Sequence, residues 1–150
     1  MQKLHLPDFN FRIRESENQN EIFDSVRKKF VALTPEEWVR QNFIRYLVEY
    51  KNVPPSLIAV EKSLSLNKLT KRTDIVIFGS GARARMIVEC KAPAVKISQA
   101  VFEQIGRYNM TLQVEFLVVT NGLNHYCAQI DFVNNSFAFL NDIPDYANLA

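Results

Sequence analysis

Residues 72–91 read RTDIVIFGSGARARMIVECK, and this pattern sets the architecture expected for the chain. Two apolar runs of strand length, Arg72 to Phe78 and Arg85 to Lys91, flank the turn signal Gly79-Ser80-Gly81. Before them, Leu57 to Leu66 alternates apolar and polar residues, as a half-buried strand does. We therefore predict an antiparallel meander of three strands.

A helix is predicted before this meander, beginning at Thr34 and ending near Asn52. Thr34 is a good N-cap, Pro35 suits the first helical position, and Glu37 completes a capping box. Apolar residues then recur at helical spacing. One face of this helix is expected to pack on the sheet.

A second helix and three more strands are predicted after the meander. The helix runs from Ser98, its N-cap, to about Leu112. Val114 to Thr120 is apolar enough for a central strand that is buried on both faces, and weaker strands follow near 126–130 and 137–140. The inner face of the helix is expected to hold Val101, Phe102, Ile105 and Tyr108. This order predicts an α/β fold, a mixed sheet flanked by helices with extra C-terminal strands.

Composition bounds the class of protein. With 150 residues and 47% hydrophobic content, the chain suits one compact domain, which we place at 21–150 after an N-terminal arm at 1–20. No apolar run approaches the roughly 20 residues of a membrane span, and no secretory signal is evident, so a cytoplasmic protein is expected. A net charge of +2 excludes a purely electrostatic nucleic-acid binder. The basic cluster Arg27-Lys28-Lys29 is interpreted as a solvated face in preference to a binding site.

Three charged residues of the meander form the candidate site. Glu89 and Lys91 are two apart on a strand and project together, and the meander brings Asp74 beside Glu89. Two close carboxylates repel unless a cation neutralises them, and an oxygen-preferring ion such as Mg²⁺ suits that role. About 0.5 E-x-K triplets are expected by chance in such a chain. The alternative is an exposed salt bridge on a sheet face.

Four segments carry a resemblance to a known family. They are Thr34 to Gln41, Lys71 to Val76, Ile87 to Pro93 and Gln104 to Tyr108. Over about residues 30–125 the chain resembles the PD-(D/E)XK nucleases, in particular the N-terminal nuclease domain of type I restriction enzyme R subunits. The resemblance implies a restriction-endonuclease-like αβββαβ core and a metal-dependent DNA nuclease.

The same resemblance implies roles for individual residues. Asp74 and Glu89 bind Mg²⁺, or Mn²⁺ as a substitute, with help from the main-chain carbonyl of Cys90. Lys91 positions or activates the attacking water. Gln104 and Tyr108 match the QxxxY motif of the RecB-like branch, and they share a helical face from which they can hydrogen-bond phosphate. Tyr108 as a core residue is the alternative.

Further candidates are less specific. A helical glutamate often completes the metal site in this family. Glu36 is favoured because it lies on the same face of the helix as the apolar residues that are expected to point inward. An i,i+4 pair with Arg40 is the alternative. Arg72 and Arg107 are candidate phosphate contacts, with solvated charges as the alternative. His125 is interpreted as a turn or core histidine.

The sequence also constrains the partners. It has four glycines and no GxxxxGK(S/T) motif, so it lacks the P-loop of an ATP-driven motor. We expect DNA as a partner. Separately encoded motor or restriction subunits, and a homo-oligomer, are also compatible with the sequence. A stand-alone protein, a subunit and an excised domain all remain open. The alternative function is a binding module that keeps the fold and anchors DNA or a partner without cutting.

Overall fold

A computed structural model describes residues 1–149 of the chain. The two α-helices are α1, Pro35–Tyr50, and α2, Gln99–Met110. The eleven strands are β1 Ile13–Glu15, β2 Asn20–Asp24, β3 Lys29–Ala32, β4 Ile58–Val60, β5 Ser63–Leu66, β6 Leu69–Arg72, β7 Ile75–Phe78, β8 Ala84–Cys90, β9 Phe116–Thr120, β10 His125–Asp131 and β11 Ser136–Leu140. Among residues 1–149, no helix is long and apolar enough to cross a membrane.

The main sheet has six strands in the order β11-β10-β9-β8-β7-β4. Strands β8 and β9 are parallel, whereas the other neighbours are antiparallel, so the predicted mixed sheet is confirmed. All five residues of β9 are buried, as expected for its central position. The meander is present as β4, β7 and β8, and the two weaker C-terminal strands are present as β10 and β11.

The two helices cover opposite faces of this sheet. Val88 and Cys90 of β8 belong to the core cluster that contains Phe43 of α1, whereas Ile87 belongs to the cluster that contains Phe102 of α2. Side chains alternate along a strand, so this division orients the whole of β8. Glu89 therefore projects toward the α2 side, together with Ile87.

The prediction of continuous strands over 57–66 and 72–78 was wrong. The chain turns at Glu61, whose φ is 53°, and β5 and β6 leave the main sheet as a separate two-stranded hairpin. Thr73 N–H donates to the Lys62 carbonyl at 2.9 Å and closes the base of that hairpin. Leu64 and Leu66 continue the even-numbered spacing of Ile58 and Val60, which is why pattern alone did not reveal the break.

The N-terminal segment packs against the body of the protein at several places. Leu4 is buried in the core cluster of α1, and His5 N–H donates to the Gly122 carbonyl at 2.8 Å. Strand β1 pairs with β2, and β3 completes a small antiparallel sheet. The division into an arm at 1–20 and a domain at 21–150 stays a prediction.

Candidate active site

Asp74 and Glu89 lie side by side at one end of β7 and β8. The last register pair of these strands is Ile75 with Val88, so the next residues outward are Asp74 and Glu89. Asp74 Oδ2 accepts a hydrogen bond from the Cys90 N–H at 2.8 Å, which fixes the carboxylate across the strands. The two side chains are only 19% and 14% exposed. The predicted convergence of two carboxylates is present in the structure.

The Glu89 carboxylate is in an unfavourable environment for a charge. Its Oε1 is buried without a hydrogen-bond partner, and the nearest ammonium, Lys71 Nζ, is 3.7 Å away. Burial raises the pKa of Glu89 to about 7, and the charge of the neighbouring Asp74 adds to the rise. Lys71 and Lys91 oppose the shift without cancelling it.

The raised pKa predicts how stability depends on pH when no metal is bound. The folded state favours protonated Glu89, so the stability this proton contributes is complete below the ordinary pKa of 4.5 and is lost as the pH rises through about 7. We expect the free energy of unfolding, measured in urea with EDTA, to fall over this pH range by on the order of 3 kcal/mol because of this group. Glu89→Gln should flatten the profile over that range, and an unchanged profile would contradict the environment described.

A cavity of about 770 Å³ lies between β8 and α2. It is lined by Lys71, Glu89, Lys91, Val101, Gln104, Ile105, Arg107, Tyr108 and Thr111. Five candidate site residues from two separate segments of the chain, Glu89, Lys91, Gln104, Arg107 and Tyr108, thus share one cavity. Asp74 is not a lining residue and joins the group through its contact with Glu89.

Tyr108, which was assigned to the inner face of α2, lines the cavity together with Val101 and Ile105. It is 57% exposed, so the alternative of a core tyrosine was wrong. The Lys71 Nζ lies 3.9 Å from the centre of its ring, a cation–π contact. The tyrosine forms a wall of the cavity and meets the hairpin there.

Lys71 is a residue of the cavity that sequence reasoning missed. It pairs with Leu64 across the hairpin, and Leu64 packs against the core cluster of α2. This face of the hairpin therefore points toward the cavity. The available signal was the turn at Asn67 and Lys68, after which the chain returns antiparallel to β5 as β6.

A network of ion pairs holds Asp74 from the α1 side. Buried Arg40 donates to Asp74 Oδ1 at 3.1 Å, to Glu37 Oε1 at 3.1 Å and to Glu61 Oε1 at 3.3 Å. Arg27 also donates to Glu37 and to Glu61. The interpretation of Arg27 as part of a solvated face was therefore wrong.

The N-terminus of α1 differs from the prediction in one respect. Thr34 Oγ1 accepts from the Glu37 N–H at 3.0 Å, so the N-cap is confirmed. The reciprocal half of the capping box is absent, because Thr34 N–H donates to the Ala32 carbonyl and the Glu37 carboxylate is engaged by arginines. The ion pairs of Glu37 with Arg27 and Arg40 thus replace the hydrogen bond between its carboxylate and the Thr34 N–H.

Glu36 points less inward than predicted. Its side chain is 48% exposed, whereas that of Glu37 is 9% exposed. Glu36 lies 3.7 Å from Arg40 Nη2, which is the i,i+4 pair considered as an alternative. Burial and the charge of Asp74 nevertheless raise the pKa of Glu36, while Arg40 and Lys91 lower it. Glu36 is thus an electrostatic neighbour of the site.

The other candidates lie at the margin. Arg72 is exposed and donates to Glu61 Oε2 at 2.9 Å, and Arg107 is exposed at the cavity. Their contact with phosphate stays a prediction. His125 Nε2 lies 2.9 Å from the His5 carbonyl oxygen, consistent with a structural histidine. Within residues 1–149, no three side chains of His, Cys, Asp or Glu converge on one point, so any ion would also need main-chain or water oxygens.

These features define a mixed α/β sheet with a helix on each face and a charged cavity on the α2 side. A family model described as "Type I restriction enzyme R protein N terminus (HSDR_N)" matches residues 35–144. The match covers most of the chain, and the chain belongs to this family.

A solved structure supports the same fold. It is described as "The fragment structure of a putative HsdR subunit of a type I restriction enzyme from Vibrio vulnificus YJ016", with a TM-score of 0.54 and 21% identity. The alignment covers 78% of this chain and 24% of that one, so this chain spans about a quarter of its length. At this identity the likeness concerns the fold alone. The search of curated proteins returned no match.

Proposed function

We propose that this chain is a metal-dependent DNA nuclease with a PD-(D/E)XK active site. The proposed restriction-endonuclease-like αβββαβ core comprises α1, β4, β7, β8, α2 and β9 in chain order. The observation that carries the proposal is that Asp74 and Glu89 lie opposite each other at the end of β7 and β8, beside a cavity that Lys91 also lines. Membership in the R-protein family agrees with this activity.

The residues present fit a divalent cation. Glu89 Oε1 is buried without a hydrogen-bond partner, and the charge of Asp74 disfavours the charged form of Glu89. Asp74, Glu89 and the Cys90 main-chain carbonyl would hold Mg²⁺, or Mn²⁺ in its place, with Glu36 nearby. When bound, such an ion supplies charge neutralisation and lowers the pKa of water.

The remaining residues have roles that follow from their positions. Hydrolysis of a phosphodiester needs a positioned water and compensation for the charge that develops on phosphorus-bound oxygens. The Lys91 ammonium, at the cavity beside Glu89, can orient the water and offset that charge. The Gln104 amide and the Tyr108 hydroxyl lie on the opposite wall and can donate to phosphate oxygens. Arg107 adds a positive charge at the rim of the cavity.

The proposed partners are DNA as substrate and other subunits of a restriction system. The family and the matched structure both come from type I restriction enzymes. No P-loop motif occurs in the 150 residues, so any motor activity would have to be supplied outside them. A cytoplasmic location agrees with this assignment, and homo-oligomer formation stays a prediction.

The proposal is tested by incubating the purified chain with supercoiled, linear and single-stranded DNA. We expect at least one substrate to be cleaved with Mg²⁺ or Mn²⁺ and none to be cleaved with EDTA. Binding of DNA without cleavage in any metal would instead favour the non-cleaving module. Gel electrophoresis of time points separates endonuclease from exonuclease products.

A further inference from the structure

The hairpin of β5 and β6 has an unusual charge for a segment beside an acidic site. From Lys62 to Arg72 it contains three lysines and one arginine and no acidic residue. The carboxylates of Asp74 and Glu89 would repel a phosphodiester backbone, so a nearby cationic element would help to hold nucleic acid there. The hairpin is in the right position, because Thr73 N–H closes its base next to Asp74.

The two faces of the hairpin differ in character. Leu64 and Lys71 pair on the face that lies toward the cavity and α2. The opposite face carries the pairs Ser63 with Arg72 and Ser65 with Thr70, and all four residues are exposed. This outer face is lined by small hydroxyl groups and bordered by cations.

The geometry of a two-stranded ribbon restricts the partner. The major groove of B-DNA is about 12 Å wide and admits a two-stranded β-ribbon. Small hydroxyl side chains can donate to and accept from base edges or phosphates, while lysines at the border reach the backbone. The turn residues Asn67 and Lys68 both have positive φ, 52° and 69°, which gives the tight, twisted hairpin suited to a groove.

We propose that the hairpin Lys62–Arg72 docks duplex DNA, with the face of Ser63, Ser65, Thr70 and Arg72 in the major groove. Lys62 and Lys68 then contact the flanking phosphates. Lys71, on the inner face of the hairpin, remains at the cavity, between the docked duplex and the candidate site. The proposal rests on the proposed function for its choice of DNA, but it concerns binding and not cleavage.

The first test measures binding under conditions in which cleavage cannot interfere. Fluorescence anisotropy of a labelled duplex is recorded in EDTA over a range of salt concentrations. We expect the variant Lys62→Ala/Lys68→Ala/Arg72→Ala to bind at least about 10-fold more weakly, with a salt slope reduced by roughly 2 for the two lost phosphate contacts. The matched control Lys3→Ala/Lys28→Ala/Lys29→Ala removes the same charge from exposed positions elsewhere and should bind within about 3-fold of the parent.

A second variant tests whether the outer face of the hairpin itself contacts DNA, independently of its lysines and arginine. Ser65→Glu/Thr70→Glu leaves every lysine and arginine in place but puts two negative charges on the outer face. We expect it to abolish duplex binding, whereas Ser25→Glu/Ser56→Glu, at exposed positions away from the hairpin, should weaken binding only slightly. Circular dichroism verifies that each variant is folded.

The outcomes separate this proposal from the proposed function. Equal loss of binding in both triple variants, or unchanged binding in the hairpin variants, would overturn docking by this hairpin even if the parent cleaves DNA. Stronger binding of single-stranded DNA than of duplex would overturn the groove geometry. Absence of cleavage together with hairpin-dependent binding would leave docking supported and refute the nuclease.

Discussion

Lys91→Met is expected to lower the rate of DNA cleavage by about 10²- to 10⁴-fold, the usual contribution of a positioned proton-transfer or charge-stabilising group. Lys91 lines the cavity beside Glu89, and Met preserves the length of the side chain while removing the ammonium. Because the group acts on the reacting water and phosphate, the loss should fall on the maximal rate. Single-turnover cleavage at saturating enzyme measures it directly.

A second lysine provides the control for this result. Lys96→Met removes the same charge at an exposed position five residues away, and its cleavage rate should remain within about 2-fold of the parent, as a screened surface charge predicts. DNA binding in EDTA is measured for both variants. Cleavage by Lys91→Met at the parental rate would show that this lysine has no catalytic role.

Arg40→Met is expected to destabilise the protein by about 3–5 kcal/mol, the usual result of removing one partner from a buried ion-pair network. Arg40 is buried and hydrogen-bonds Glu37, Glu61 and Asp74. Its loss leaves the nearly buried Glu37 carboxylate with fewer compensating charges. Urea denaturation at pH 7 with EDTA gives the free energy of unfolding.

Two further variants identify the cause of that loss. Arg45→Met, on the same helix and half-buried, removes an arginine whose pair with Glu49 is at 3.8 Å, and it should cost under about 1 kcal/mol. Adding Glu37→Gln to Arg40→Met should restore part of the stability, because it removes a buried charge that has lost a partner. If the double variant were less stable than expected from adding the two single effects, the network described would be wrong.

Most of the main sheet could be predicted because its elements have strong local signals. The burial of β9, the N-caps Thr34 and Ser98 and the meander around Gly79 all depend on short-range pattern. The convergence of Asp74 with Glu89 followed from the same meander. Strand alternation also placed Glu89 on the face opposite Val88.

The features that were missed depend on contacts distant in sequence. The hairpin of β5 and β6 arises from a turn at Glu61, where an ordinary residue adopts positive φ. Arg27 and Arg40 share the Glu37 carboxylate, and nothing in the local sequence indicates that these residues meet. Charged residues were therefore assigned to solvent or to a capping box when they form a buried network.

Isothermal titration of Mg²⁺ at pH 8, where Glu89 is largely ionised, tests most directly whether Asp74 and Glu89 form one cation site. The parent chain is compared with Asp74→Asn and Glu89→Gln, each of which keeps the shape of the side chain and removes its charge. We predict binding to the parent and at least about 10-fold weaker binding to each variant, since each loses a charged oxygen ligand. Equal Mg²⁺ affinity in all three proteins would contradict the account.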